Sequence, residues 1–347
     1  MPVGTYGTVK AVHQWELRQV VDAPIILGNT YHLYLQPGTE VIGQAGGLHR
    51  FIGWERPILT DSGGFQVYSL SKIRKIEEKG VWFRSHRDGS AHFFTPRSVL
   101  DIQRTLGSDI MMPLDECTPY PCERAYAERS LALTHRWLDE AEHYWRETFD
   151  TTRQTLFPIV QGSVYEDLRR TAARYVQQYP AVGYAIGGLS VGEPPEVRNT
   201  MTEAVTETLP EHSARYLMGV GKPEDILDAI ERGVDMFDCV IPTRNARHGL
   251  MYTMHGTINF KNAQWKDDFS PLTGDDEQYC PYDKQYSRAY LRHLVMNEEY
   301  LGMMIITVHN LCFFLALVRQ ARRHILAGDF TAWKRRMRKR VSRRVSR

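Results

Sequence analysis

Along this chain, short apolar runs end in a polar residue or glycine and give way to longer stretches of helical periodicity. The runs are Ile25-Ile26-Leu27-Gly28-Asn29, Ile58 to Asp61, Ile110 to Asp115, Phe157 to Gln161, Tyr184 to Leu189, Tyr216 to Val220 and Met236 to Val240. The intervening segments Pro96 to Leu106, Glu123 to Trp145, Tyr165 to Gln178, Pro195 to Leu209 and Pro223 to Arg232 have helical periodicity, with starts marked by Pro, Ser or Thr. Buried strands alternating with helices predict a parallel α/β fold. The polar residues closing the runs are Asn29, Asp61, Asp115, Gln161, the Gly187-Gly188 pair, Gly219 and Asp238. An eight-stranded (β/α)8 TIM barrel gathers its active site at such strand ends. One strand is then still to be found, and Met1-Pro2-Val3 is the place left for it, so the first barrel strand is expected to be truncated at the start.

Between Ser69 and Thr95, Gly80 to Ser85 and Ala91 to Phe94 read as a β-hairpin turning through Asp88-Gly89. After Arg247, the strand-rich stretch Gly249 to Phe260 leads through a polar loop to the region of Cys280, which predicts an appended subdomain. The expected organisation is a barrel core over 1–248, the subdomain with closing helices over 249–330 and a basic tail over 331–347.

The 347 residues, 42% hydrophobic and 24% charged, exclude a disordered chain and allow one large domain or two ordinary ones. Five widely spaced cysteines suit a reducing cytoplasm better than a disulfide framework. No signal peptide is visible at Met1-Pro2-Val3-Gly4. Leu301 to Val318 has nearly the length of a membrane span, but Thr307, His309 and Asn310 in its middle predict a buried element and no membrane. Nine of the 43 Lys and Arg and none of the 41 acids lie in 334–347, so the rest carries 34 basic and 41 acidic residues, a balance of −7. The basic character therefore belongs to the tail, read as a solvated, mobile end suited to RNA phosphates.

Two carboxylates at strand ends are the strongest chemical signal, Asp61 in Thr60-Asp61-Ser62-Gly63-Gly64-Phe65 and Asp238 in Met236-Phe237-Asp238-Cys239. Exchange or cleavage at a sugar's anomeric carbon uses such a pair, one as nucleophile and one to move protons. The bland alternative is that either acid caps a helix or pairs with an arginine. It is weaker for Asp238, because an unpaired carboxylate inside an apolar run is costly to bury. Asp115, Gln161 and the Gly187-Gly188 amides offer donors and acceptors for the edge of a purine, or are ordinary strand-end turns.

The motifs Gly28-Asn29-Thr30-Tyr31-His32-Leu33, Leu59 to Val67, Asp115-Glu116-Cys117, Ile159 to Gly162, Gly187 to Glu193, Tyr216 to Asp225 and Phe237 to Gly249 resemble those of bacterial queuine tRNA-ribosyltransferases, also called tRNA-guanine transglycosylases. The resemblance runs from Pro2 to about Phe330. It implies a (β/α)8 barrel with a zinc subdomain, and exchange of the wobble guanine in the anticodon loop of queuosine-type tRNAs for a 7-deazaguanine base. Asp238 is then implied as the nucleophile that holds the tRNA covalently, and Asp61 as the proton donor and acceptor. Ser62, Gly63, Gly64, Asp115, Gln161, Gly188 and Leu189 are implied around the base, with Phe65 and Met218 against its faces. Val191 and Cys117 match the bacterial pocket, which takes 7-aminomethyl-7-deazaguanine. RNA contacts are implied at Gly219-Val220-Gly221-Lys222-Pro223-Glu224-Asp225 and at Thr243-Arg244-Asn245-Ala246-Arg247, and a homodimer is implied through the metal subdomain.

The resemblance also implies a Cys-x-Cys-x-x-Cys and distant His zinc site. Here those places hold Gln278, Cys280, Asp283 and His309, so zinc affinity is expected to be much reduced or lost, Gln278 being a poor ligand. Two further readings stand beside an active transglycosylase. One is a catalytically impaired, truncated homologue that binds tRNA or a partner subunit. The other is an unrelated barrel hydrolase holding a divalent metal among Asp61, Asp115 and Asp238.

Overall fold

The structure is a computed structural model that describes residues 1–70, 73–274 and 278–346. The chain opens with parallel strands β1 (Val3–Gly4), β2 (Ile26–Gly28) and β3 (Ile58–Thr60). It then leaves for a separate antiparallel sheet of β4 (Arg74–Glu77), β5 (Gly80–Arg84) and β6 (Ala91–Phe94). The expected hairpin is therefore three-stranded. Arg74-Lys75-Ile76-Glu77 is too polar to signal a strand, and it forms one by pairing with β5 in register from Arg74 with Phe83 to Glu77 with Gly80.

The chain returns as β7 (Ile110–Met111), β8 (Thr155–Leu156), β9 (Ile159–Val160), β10 (Gly183–Ile186), β11 (Ala214–Leu217) and β12 (Met236–Phe237). The order is β1-β2-β3-β7-β8 in one sheet and β12-β11-β10-β9 in the other, with every pair parallel. Only Phe157 and Pro158 separate β8 from β9, and a parallel bridge joins Pro2 to Cys239.

Side chains alternate between two environments along each strand, as the two-residue period of a strand requires. Leu27, Leu59, Ile159, Ala185 and Tyr216, from both sheets, pack into one central cluster with Met112 and Phe157. Their neighbours Ile26, Ile58, Val160, Tyr184, Ile186 and Leu217 face outward into the clusters made with the helices. With both faces covered, strands this short remain buried without any polar alternation.

The helices fall where periodicity predicts them: Pro96–Leu106, Arg124–Thr148, Glu166–Val176, Pro195–Thr206 and Pro223–Glu231. Pro96–Leu106 shows the local logic, with Thr95 and Ser98 forming a reciprocal capping box, Pro96 in the first turn and Gly107 closing in the left-handed conformation. From inside that helix, Gln103 accepts from the Thr60 hydroxyl at 2.8 Å and donates to the Met112 carbonyl at 2.8 Å, which locks the end of β3 to the chain after β7.

Beyond the sheets, β13 (Leu250–Thr253) and β14 (Gly256–Asn259) form a hairpin against the long helix Tyr300–Leu326. That helix is long and apolar enough to cross a membrane, but two thirds of its most apolar window is buried in the fold. Of its central polar residues, Asn310 has a structural part. Asn310 accepts from the Tyr252 amide at 2.9 Å and donates to the Pro242 and Leu250 carbonyls at 3.0 Å, which ties hairpin to helix.

The stretch expected to be a solvated tail is corrected. Phe330–Val341 is a helix, and Trp333, Met337 and Val341 are buried at intervals of four residues against the helix Pro223–Glu231 and its neighbours. The apolar stripe is narrow among many cations, so charge masks it in the sequence, but burial of three large side chains outweighs the loss of chain freedom. Arg347, the last residue of that stretch, lies outside the described residues.

Candidate active site

Asp61 is the residue immediately after β3 and is nine-tenths buried. Its Oδ1 accepts from the Thr30 amide at 3.0 Å and the Gly63 amide at 3.2 Å, and its Oδ2 accepts from the Asn29 side chain. Burial pushes the carboxyl up to about 7; the Thr30 amide opposes that and the nearby Asp238 charge adds to it. A carboxyl poised near neutrality can both give and take a proton at cellular pH.

Asp238 follows β12 and is half-buried. Its Oδ1 accepts from the Tyr216 hydroxyl at 2.6 Å and the Gly219 amide at 2.8 Å. Both donors sit on one oxygen, which fixes the carboxylate plane. Gly219 begins a loop that must pass close under the strand end. At Gly221 a Cβ would lie 2.0 Å from the Cys239 sulfur, so only glycine allows that approach.

A second buried polar chain lies beside the first. Ser62 donates to Asp115 Oδ1 at 2.9 Å, and Gln161 Nε2 donates to Asp115 Oδ2 at 2.7 Å. Burial raises the Asp115 pKa, and the bonds from Gln161 and Ser62 partly offset it. Gln161 Oε1 is buried with no hydrogen-bond partner among the described residues. The backbone at Gly188 lies directly against this amide: a Cβ there would stand 2.1 Å from Gln161 Oε1, and its φ of +64° is left-handed. Gly64 sits against Asp115, Leu189 is buried, and burial pushes the Cys117 thiol up to about 12, which leaves it a neutral packing group. Phe65, in contrast, is 48% exposed, and Met218 is only partly buried. An exposed aromatic beside buried polar groups is apolar area available to a flat ligand.

Four supporting residues carried no assigned role in the sequence. Asn29 holds Asp61 and Tyr216 holds Asp238. Arg169, fully buried in the helix Glu166–Val176, donates to the carbonyls of Val160, Ser163, Gly187 and Gly188, and so fastens the ends of β9 and β10 together. Glu193 accepts from the amides of Ser190 at 2.5 Å and Val191 at 3.0 Å, which pins the loop after Leu189. Asn29 was signalled by its place at a strand end, whereas Tyr216, buried inside β11, reads as one more core aromatic. Arg169 was not, because an arginine beside Arg170 on an amphipathic helix reads as surface.

Within the two expected RNA segments, Gly219, Lys222 and Arg244 are exposed and Glu224, Asn245 and Arg247 are half-buried. Val220, Gly221, Pro223, Asp225, Thr243 and Ala246 are buried and shape the loops from within. Asp225 pairs with Arg198 at 2.6 Å, and Asn245 donates to the Tyr252 hydroxyl at 2.6 Å.

Cys280, Asp283 and His309 are brought together in the subdomain, with potential ligand atoms all within 4.8 Å of one another. They are buried and already bonded among themselves. His309 Nδ1 lies 2.6 Å from Asp283 Oδ1, its Nε2 lies 2.7 Å from the Tyr252 carbonyl, and the Cys280 thiol lies 3.3 Å from Asp283 Oδ1. Gln278 is exposed and does not join them. The Cys312 thiol is hydrogen-bonded to Cys280 beside these three, so among the described residues the Cys-x-Cys-x-x-Cys and His donor set of a closed structural zinc centre is not reproduced and the fit to it is poor.

The family model described as "Queuine tRNA-ribosyltransferase" matches residues 1–343. Among curated proteins, the chain is 51% identical to the queuine tRNA-ribosyltransferase of Aquifex aeolicus, covering 99% of this chain and 92% of that one. It is 52% identical to the protein of the same name from Bacillus subtilis, covering 95% and 86% of the two chains.

Proposed function

The chain belongs to the queuine tRNA-ribosyltransferase family, and from that premise we propose how its site works. It is a pentosyltransferase that exchanges guanine in tRNA for a 7-deazaguanine base through a covalent enzyme–tRNA intermediate. In our reading, Asp238 attacks C1′ of the target guanosine through the carboxylate oxygen not tied by Tyr216 and Gly219. The C1′–N9 bond breaks, its electron pair leaves with guanine, and guanine takes the proton that Asp61 carries. The incoming base then gives its ring N–H proton to Asp61, its ring nitrogen bonds to C1′, and the Asp238 oxygen leaves. Two inversions at one carbon restore the β linkage, which is why a covalent nucleophile is required.

Asp115 accepts from the N–H edge of the base, and binding exchanges its bond to Gln161 for bonds to the ligand. That frees the Gln161 amide to donate, with the Gly188 N–H, to the base carbonyl. Phe65 and Met218 cover the ring faces, and the Leu189 carbonyl meets the aminomethyl group of 7-aminomethyl-7-deazaguanine. Gly219, Lys222 and Arg244 are the RNA ligands of the rim.

The observation that carries this reading is the carboxylate pair. One acid is buried, triply hydrogen-bonded and raised to about 7, and the other is partly open with one oxygen tied. The purified protein is expected to incorporate radiolabelled guanine into unmodified tRNA; tRNA binding without incorporation would instead support a binding-only homologue.

We read the two sheets as one closed (β/α)8 barrel, joined through Phe157-Pro158 and the Pro2–Cys239 bridge. The shared inner cluster supports this, since side chains from both sheets fill one interior. The enzyme in this reading is a cytoplasmic homodimer. The Cys280, Asp283 and His309 cluster holds the subdomain through its own hydrogen bonds, with His309 clamped to the Tyr252 carbonyl, and no step of the reaction passes through a metal. Elemental analysis of the purified protein is expected to give well under one zinc per chain, and a chelator is expected to leave its melting temperature unchanged. Stoichiometric zinc would overturn this part of the reading.

A further inference from the structure

The helix Phe330–Val341 has two cationic faces with different fates. On the inner face, Lys334 pairs with Asp228 at 2.7 Å and with Glu231 at 2.5 Å, and Arg338 pairs with Asp228 at 3.1 Å. These charges are neutralised within the fold. On the outer face, Arg335, Arg336, Lys339 and Arg340 are exposed, and none is ion-paired with a described carboxylate. Residues 335 and 339, like 336 and 340, are one turn apart, so the four cations form a single stripe.

The ion pairs also fix which way the stripe points. Lys334 reaches Glu231 and Asp228 while Arg338 reaches only Asp228, so this helix runs antiparallel to Pro223–Glu231. The start of Pro223–Glu231 follows directly on Gly219 and Lys222, whose loop holds Asp238. The basic helix therefore climbs toward the rim that carries the nucleophile. Its end is fastened there: Arg340 lies 3.1 Å from the His255 ring, and the Thr257 amide donates to the Arg343 carbonyl at 2.9 Å. His255 and Thr257 belong to the hairpin that follows Arg244 and Arg247, so the helix end is held on the element that comes directly after those arginines in the chain.

The rest of the chain has a balance of −7, which repels a polyanion. A line of uncompensated cations leading away from the reaction site is then the surface that offsets the repulsion. We propose that Arg335, Arg336, Lys339 and Arg340 form a second RNA contact, which takes the phosphate backbone of the substrate tRNA outside the anticodon loop. The proposal rests on tRNA being the substrate. It adds a site that positions the body of the RNA by charge and reads no base.

The test is the quadruple variant R335Q/R336Q/K339Q/R340Q in the full chain, with R335K/R336K/R340K as the charge-conserving control. Direct tRNA binding is measured by filter retention across a salt series, alongside guanine incorporation. The Gln variant is expected to bind tRNA about tenfold or more weakly at low salt, and the slope of log affinity against log salt is expected to shrink by about 2 to 4. The Lys variant is expected to keep both, which excludes a folding defect as the cause. An unchanged affinity and slope in the Gln variant would overturn the proposal. Failure of the function is separately visible, because it appears as absent incorporation by the unsubstituted protein, whereas the stripe is scored by binding.

Discussion

Asp238→Asn is expected to abolish both base exchange and the covalent tRNA adduct, with a fall on the order of 10⁴-fold or more in exchange rate. The substitution is well suited to the question because it changes little else. Asparagine keeps an oxygen to accept from Tyr216 at 2.6 Å and from Gly219 at 2.8 Å, so the loop from Gly219 to Lys222 keeps its anchor. The free oxygen becomes an amide nitrogen, whose lone pair is delocalised into the carbonyl and does not attack carbon. The adduct is read by a denaturing gel after incubation with tRNA, and exchange by radiolabelled guanine. A D238N enzyme that still exchanges guanine at a normal rate sinks the assignment of nucleophile.

The second large effect concerns Asp61 and has a pH signature. Its pKa is raised from the ordinary carboxylate range to about 7, so the folded enzyme carries this proton below pH 7 and loses it above. In the proposed mechanism adduct formation needs the protonated form, because guanine leaves by taking that proton. Its rate is expected to be flat below about pH 7 and to fall tenfold per unit above it. Breakdown of the adduct by incoming base needs the ionised form and is expected to show the opposite slope. Asp61→Asn removes the titrating group, so both slopes should vanish together with about 10²- to 10⁴-fold of the rate. Base binding should stay measurable, since Asp115, Gln161 and Gly188 are untouched. Single-turnover rates over a pH series decide it, and a slope that persists in the variant assigns the proton transfer to another group. The substitution also sets an amide nitrogen against the Asn29 side-chain nitrogen. Asn29 cannot simply flip to accept, because its oxygen caps the next helix by accepting from His32 at 2.9 Å.

The sheet strands and both acids were legible in the sequence for one reason. A strand buried on both faces is written as an unbroken apolar run, and the first polar residue after it marks the end where ligands bind. Asp61, Asp115, Gln161 and Asp238 all stand at that break. The supporting groups were less visible because their signals have commoner meanings. Arg169 looks like half of a surface arginine pair, and Tyr216 looks like one more core aromatic. β4 was hidden by its polarity, since a strand that pairs on one side of a small sheet needs little apolar surface. In 333–347, nine cations drowned a three-residue apolar stripe, and a packed helix was read as a solvated tail.

What the sequence determined by itself was the address of the polar groups: two carboxylates and a set of donors and acceptors at the ends of parallel strands. Those features are local, because each depends on a short pattern of adjacent residues. What only the tertiary structure decided was state and partnership. Asp61 is raised to about 7 because burial removes water from it and Asp238, 177 positions later in the chain, adds its charge. The free oxygen of Asp238, the clasp of His309 on Asp283 and the division of the basic helix into neutralised and uncompensated cations are likewise set by groups distant in sequence. Desolvation, hydrogen bonding and charge act through space over a few ångströms, and no linear pattern records which residues folding brings that close.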